Sequence, residues 1–346
     1  MTVRLNLNER HQPLPPDILA EIHRRWRDLA TRRYTEDVEA EFLQVLEDGY
    51  GFQPGSVFLG AGGDEAIQLL CLAARGRVGK IVFPTPTFGM YSWAAKLAGI
   101  DVNMVPFDPR TRDLPVAGLL TATAGRAALV FICRPNNPTG QLWSPAEVLS
   151  LVDGLAPGSL VVLDEAYWEY AGESAAPWAL QNPRIALLRT FSKIYGLAGL
   201  RCGYSVVPET WREAVAAVRM PFNVSAAAMI AAQVGVGYRG RLEREALEVA
   251  AARDELINFL KTVPGARPFD TRTNFVLIEL AGGAAAAAQT AALLRERGIL
   301  VRTYAGDPAV AGCIRVSIGA AAEMQAFREC FSDIMLDGNT EGGQSS

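Results

Sequence analysis

Residues 188–204 read LRTFSKIYGLAGLRCGY, and the anomaly in them is Lys193. It follows the apolar run 185–188, which has the look of a buried strand, and is then hemmed in by Gly196, Ala198 and Gly199. A lysine is seldom found deep in a fold without a partner or a task. Ser192 stands beside it and Arg201 eight residues on. Open α/β sheets bind their ligands at the carboxyl ends of strands, so a strand ending in a hydroxyl and an amine is a place to look for chemistry.

The rest of the chain repeats the pattern. SVFLG (56–60), KIVFPTP (80–86), AALVFICRP (127–135), LVVLDEAY (160–167), RIALLRTF (184–191) and RCGYSVV (201–207) read as strands. Several are continuous apolar runs of the sort buried on both faces. GDEAIQLLCLAA (63–74) and FGMYSWAAKLA (88–98) have helical spacing between them. A helix over 36–48, ending at Gly49, precedes this alternation. After a long helix over about 240–261 come NFVLIEL (274–280), an Ala-rich helix to Arg297, GILVRTY (298–304) and CIRVSIG (313–319) as strands, and a last helix.

The expected organisation is α/β, a large domain with a mostly parallel central sheet and a smaller α+β domain. Residues 1–30 form an N-terminal arm packing with the small domain, with PLPPDI placing prolines before a helix start. Residues 31–243 make the large domain, 244–338 the small one, and 339–346 a disordered tail.

Composition narrows the function. The chain has 346 residues, half of them hydrophobic, and a net charge of −4 with no basic block, which argues against a nucleic-acid surface. Cys71, Cys133, Cys202, Cys313 and Cys330 are odd in number and form no CxxC, as for free thiols in a reducing compartment. No secretory signal or membrane span is visible, so a cytoplasmic protein is expected. Both histidines, His11 and His23, lie in the first 23 residues, which argues against a His-based zinc site or a Ser-His-Asp triad in the core.

The strand ends collect the remaining candidates. LGAGGDEAI (59–67) lacks a full dinucleotide fingerprint, because Glu65 stands where the third glycine belongs. The shorter reading is a helix whose N–H groups at Gly63 and Asp64 can hold a phosphate; the other is an ordinary turn capped by Asp64. RPNNPTG (134–140) is a rigid turn presenting Asn136 and Asn137. Asp164 ends a buried strand and needs a partner if it stays ionised. A lysine, a phosphate cradle, a carboxylate and hydrogen-bond donors together suit a phosphorylated pyridine aldehyde. The lysine captures the aldehyde and the carboxylate keeps the ring nitrogen protonated.

RTFSKIYGLAGLRCGY, NNPTG, VLDEAYWEY, LGAGGDEAI and PTPTFGMY resemble, in order, the signatures of the aspartate-aminotransferase-like (fold type I) enzymes that use pyridoxal 5′-phosphate. The similarity runs from about Arg33 to Gly319 and is strongest to the histidinol-phosphate aminotransferases. It implies that Lys193 binds the cofactor as an imine and carries the proton between substrate and cofactor. It implies that Asp164 meets the ring nitrogen, that Tyr167 and Asn137 meet the ring hydroxyl oxygen, and that Phe88 stacks on the ring. Gly63, Asp64, Ser192 and Arg201 would hold the phosphate. Tyr34 would reach the cofactor phosphate of a neighbouring subunit, making a homodimer part of the site. Arg315 would clamp the carboxylate of glutamate or the phosphate of the other substrate, with Arg302 and Asn8 also on the substrate side.

The implied partners are therefore a small amino donor and a 2-oxo acid. The donor could also be an aromatic or other unphosphorylated amino acid, or the reaction a decarboxylation of threonine phosphate, although that branch tends to have Phe where Tyr167 stands. The segment 6–16 keeps Asn8 and Glu9 of the family's Asn-Glu-Asn-Pro-Tyr-Gly run but not its aromatic, Arg134 replaces a common Asn, and alanines follow Arg315.

Overall fold

The structure is a computed structural model and describes residues 2–111 and 113–341. A two-residue strand, β1 (Val3–Arg4), opens the chain. The central sheet contains β2 (Val57–Gly60), β3 (Lys80–Thr85), β4 (Val102–Pro106), β5 (Ala128–Cys133), β6 (Leu160–Asp164), β7 (Ile185–Thr190) and β8 (Gly203–Val206), in the spatial order 2-8-7-6-5-3-4. β4, an edge strand that carries Asn103, has no counterpart among the expected strands.

β5 and β6 lie at the middle of the sheet and are buried along their whole length, as their unbroken apolar runs demand. Alternation then divides their side chains between two cores. Leu129, Phe131 and Cys133 face the helices Gly63–Ala73, Met90–Ala98 and Glu209–Val218. Val130 and Ile132 belong to the larger core on the other face, with Phe42 and Leu46 of the helix Glu36–Tyr50. That helix was expected to end at Gly49. It runs one residue further, and Gly51 stops it with a left-handed φ of 68°, where a side chain would be strained.

Strand direction positions the site. β3 pairs in parallel with β4 and β5, β5 with β6, and β6 with β7, so their carboxyl ends share one edge. β8 runs antiparallel to β7 and β2. It therefore begins where β7 ends, and Arg201, just ahead of it, arrives beside Ser192. Gly60 and Thr190 both pair with Gly203. A Cβ on Gly203 would come within 2.8 Å of the Gly62–Gly63 backbone, so only glycine lets the turn after β2 close against β8.

Past the long helix Arg239–Thr262 lies a second sheet made of β9 (Ala266–Pro268), β10 (Phe275–Leu280), β12 (Arg302–Thr303) and β13 (Cys313–Ser317), in the order 12-13-10-9. β11 (Ile299–Leu300) leaves this sheet and pairs in parallel with β1. The single strand expected over 298–304 is thus two, serving different ladders, with Val301 between them. A last helix, Ala321–Glu341, extends through residues 339–341, which were expected in the tail; residues 342–346 lie outside the described residues. No helix among the described residues is long and apolar enough to cross a membrane.

Candidate active site

A cavity of about 710 Å³ opens at the carboxyl edge of the sheet, between it and the second sheet. Gly63, Asp64, Phe88, Asn137, Asp164, Tyr167, Ser192, Lys193, Arg201, Arg302, Arg315 and Asn8 all line it. Tyr34 is the one candidate it does not include. Its ring is 80% exposed and stacks on Phe222 at 4.7 Å.

Asp164 ends β6 and is buried at the floor. Its Oδ2 accepts a hydrogen bond from Tyr91 Oη at 2.6 Å and its Oδ1 accepts one from the Ala166 N–H at 3.0 Å. Burial pushes its carboxyl up to about 6, against the pull of those two donors. A cation placed against it would favour the ionised form. Tyr91 was not among the expected residues, although it closes the PTPTFGMY run. Its ring is fully buried against Phe131 at 4.7 Å, and a buried tyrosine needs an acceptor for its hydroxyl.

Lys193 follows β7 in a turn held by Gly196 N–H donating to its carbonyl. Its Nζ donates to the Leu7 carbonyl at 3.3 Å and lies 5.4 Å from the centre of the Tyr167 ring. Burial first, then the Arg315 guanidinium, bring the amine down to about 8. About a tenth of it is therefore the free base at pH 7, far more than for an ordinary lysine, as a nucleophile or proton acceptor requires.

Tyr167 is buried and its ring packs edge-on against Phe275. Its oxygen accepts from Asn8 Nδ2 at 3.0 Å and from Asn137 Nδ2 at 3.3 Å. Arg315 Nη1 donates to Asn137 Oδ1 at 2.6 Å, which turns the amide's donor end toward the phenol. The phenolic proton is left for an acceptor in the cavity. Asn8, expected on substrate, uses its amide on Tyr167 and, through Ser317 Oγ donating to Oδ1 at 3.0 Å, on β13.

Beneath the turn after β2, the helix Gly63–Ala73 begins, and the N–H groups of its first turn have no acceptor within the helix. Ser192 Oγ and the Arg201 guanidinium stand opposite, with Arg201 Nη2 pairing Asp64 Oδ2 at 3.0 Å. Gly62 has a φ of +85°, and a Cβ there would overlap the guanidinium. Glu65 accepts from Asn223 Nδ2 at 2.7 Å and from the Ala61 N–H, bracing the turn. Helix N–H groups, a hydroxyl and a guanidinium form a seat whose chemistry fits a phosphate.

Arg315 lies across the cavity, buried, with Nη2 donating to the Asn6 carbonyl at 2.9 Å and Nε without a partner. In the β12–β13 ladder it stands directly opposite Arg302. Neither guanidinium forms an ion pair among the described residues. Like charges facing each other across strands are unfavourable unless an anion lies between them. The Tyr304 hydroxyl, also on the cavity wall and missed in the sequence, is buried without a partner near both. Arg134, by contrast, is committed elsewhere. It donates to the Trp143 carbonyl and pairs with Glu173.

The sequence model for class I and II aminotransferases matches residues 3–332. A histidinol-phosphate aminotransferase from Thermococcus gammatolerans is 33% identical, covering 99% of this chain and 94% of the relative. One from Methylibium petroleiphilum is 34% identical, covering 93% and 86%. The crystal structure of histidinol-phosphate aminotransferase from Sinorhizobium meliloti, in complex with pyridoxal-5′-phosphate, matches at a TM-score of 0.86 and 25% identity, covering 97% of this chain and 91% of that one. L-threonine-O-3-phosphate decarboxylase from Porphyromonas gingivalis shares the fold at a TM-score of 0.81 and 21% identity, covering 98% and 99%, so the fold alone does not separate the two chemistries. With a family match over nearly the whole length, and a lysine, acid and phenol gathered beside a phosphate seat, the chain belongs to the class I and II aminotransferases.

Proposed function

We propose that this aminotransferase uses pyridoxal 5′-phosphate to move the amino group of L-histidinol phosphate to 2-oxoglutarate, giving imidazole acetol phosphate and L-glutamate. The donor is oxidised to a ketone as the acceptor is reduced to an amino acid, so no further oxidant enters. When bound, the cofactor supplies an aldehyde that takes up an amine and a ring that withdraws electrons.

The protein's part follows from the residues. The first-turn N–H groups of Gly63 and Asp64, the Ser192 hydroxyl and Arg201 hold the cofactor phosphate. Asp164 keeps the ring nitrogen protonated, Tyr167 and Asn137 hold the ring hydroxyl oxygen, and Phe88 covers one ring face. Lys193 anchors the cofactor and moves the proton at the donor's Cα. Asn8 orients Tyr167 at the substrate side. We further propose a cytoplasmic homodimer in which Tyr34 of one chain completes the phosphate seat of the other, and a division into a large domain, 31–243, and a small domain, 244–338, with the arm, 1–30, packed against the small one.

One observation carries the choice of donor: Arg302 and Arg315 face each other across adjacent strands, over the cavity, with no acid among the described residues paired to either. Two guanidiniums suit both a phosphate monoester and the distal carboxylate of a 2-oxo diacid. The names of the curated relatives support the same donor. A half-reaction screen tests it, following conversion of the bound cofactor from aldehyde to amine form. Histidinol phosphate should react at least about 100-fold faster than phenylalanine or aspartate. Carbon dioxide release from threonine phosphate, or a faster reaction with an unphosphorylated donor, would overturn the assignment.

A further inference from the structure

The arm lies over the site and touches three of its members within three residues. The Asn6 carbonyl accepts from Arg315, the Leu7 carbonyl accepts from Lys193, and the Asn8 amide donates to Tyr167. On its N-terminal side the arm is held by β11 and β13, through Leu5 N–H to the Leu300 carbonyl and Ser317 N–H to the Leu5 carbonyl, both at 2.9 Å. Something must hold its other side against the lysine.

Arg10 stands there. Its Nη1 donates to the carbonyl of Ile194, the residue after Lys193, at 2.7 Å. Its Nη2 pairs with Glu245 on the long helix, and Nε donates to the Gln12 carbonyl at 2.9 Å. The side chain is only 4% exposed. Gly196, two residues further along the same turn, has a φ of +65°, and a Cβ there would come within 2.8 Å of Arg10 Cδ. The glycine at 196 therefore leaves room for Arg10, with Leu14 packed just beyond it. A single guanidinium joins the arm, the lysine turn and the long helix, and each of its three nitrogens is used.

We propose that Arg10 is a positioning residue, which fastens the arm to the Lys193 turn so that the Leu7 carbonyl and Asn8 amide stay in register with the amine and the phenol. The assignment of Lys193 and Tyr167 to the cofactor comes from the function proposed above. The tie itself does not depend on it. A lysine at this position could keep the pair with Glu245 but lacks the planar fork that reaches the Ile194 carbonyl at the same time.

Hydrogen exchange and steady-state kinetics on the full-length holoenzyme test this together. In Arg10→Met, exchange across residues 3–9 should speed up about tenfold or more, while peptides from β9 and β10 stay as in the wild type. The melting temperature should fall by a few degrees without loss of cooperativity, kcat should fall about tenfold or more, and the basic or acidic limb of the kcat profile should shift. Arg10→Lys should recover part of both losses. Arm exchange equal to wild type would overturn the tie, as would faster exchange spread evenly over the second sheet. Faster arm exchange with unchanged kcat and pH profile would overturn its positioning role. A wrong donor assignment would alter the substrate screen and leave the exchange result intact.

Discussion

Tyr91 donates its hydroxyl to Asp164 across 73 residues of sequence, at 2.6 Å, and both groups are buried. That bond favours the charged carboxylate where burial opposes it. Tyr91→Phe should therefore raise Asp164 further above about 6. The acid limb of kcat/KM should move upward by about one pH unit, since a hydrogen bond to a charged group is worth roughly that much. A pH–rate series checks it, and an unmoved limb would detach Tyr91 from the acid's titration.

Asp164→Asn should abolish transamination yet stabilise the cofactor-free fold at neutral pH. The folded carboxyl holds its proton more tightly than the unfolded one, so its favourable contribution is complete below about 3.8 and is lost as pH rises through about 6. The variant removes this penalty, worth up to about 3 kcal/mol at pH 8. Thermal melts of the cofactor-free proteins should diverge at pH 8 and converge toward pH 4.

Lys193, brought down to about 8, should set the pH at which cofactor is taken up. Its ammonium form dominates below that value, so uptake by the cofactor-free protein should slow as pH falls through it. Arg315→Met removes a neighbouring positive charge and should move the midpoint upward. Lys193→Ala should leave no absorbance that borohydride can fix to the chain. Fixation to another lysine would refute the assignment.

Arg302→Gln relieves the cross-strand repulsion with Arg315 and should leave the ligand-free fold as stable as the wild type or more so, by a few tenths of a kcal/mol. It should lower kcat/KM for the phosphorylated donor by about 10- to 100-fold, the worth of one charged hydrogen-bonding partner. Comparing histidinol phosphate with its unphosphorylated analogue checks the attribution, because the analogue should lose far less.

Tyr34→Phe and Lys193→Ala should complement one another if the site is shared between subunits. A mixed dimer then contains one intact site, and random exchange of the two inactive proteins should recover about a quarter of wild-type turnover. Mixing without recovery would place Tyr34 outside the partner's site.

The strands were legible because β5, and β6 and β7 up to Asp164 and Arg189, are apolar runs, and a run that cannot face water on either side has one place in an α/β fold. Lys193, Asp164 and Asn137 were legible for a related reason: each stands where such a run stops, and all three reach the same cavity. Tyr91 was not, since the partner that makes it matter is distant in sequence and its spacing is that of any core aromatic. Asn8 lines the cavity, and the hydrogen bonds of its amide to Tyr167 and Ser317 are a further role that its place in the sequence did not announce. The reversal of β8 also carries no local mark, yet it is what delivers Arg201 to Ser192.

Val301 alone separates the residues that bind the arm from those that set Arg302 opposite Arg315. An anion that drew the two guanidiniums together would therefore act on a ladder one residue removed from the one that holds Val3 and Arg4.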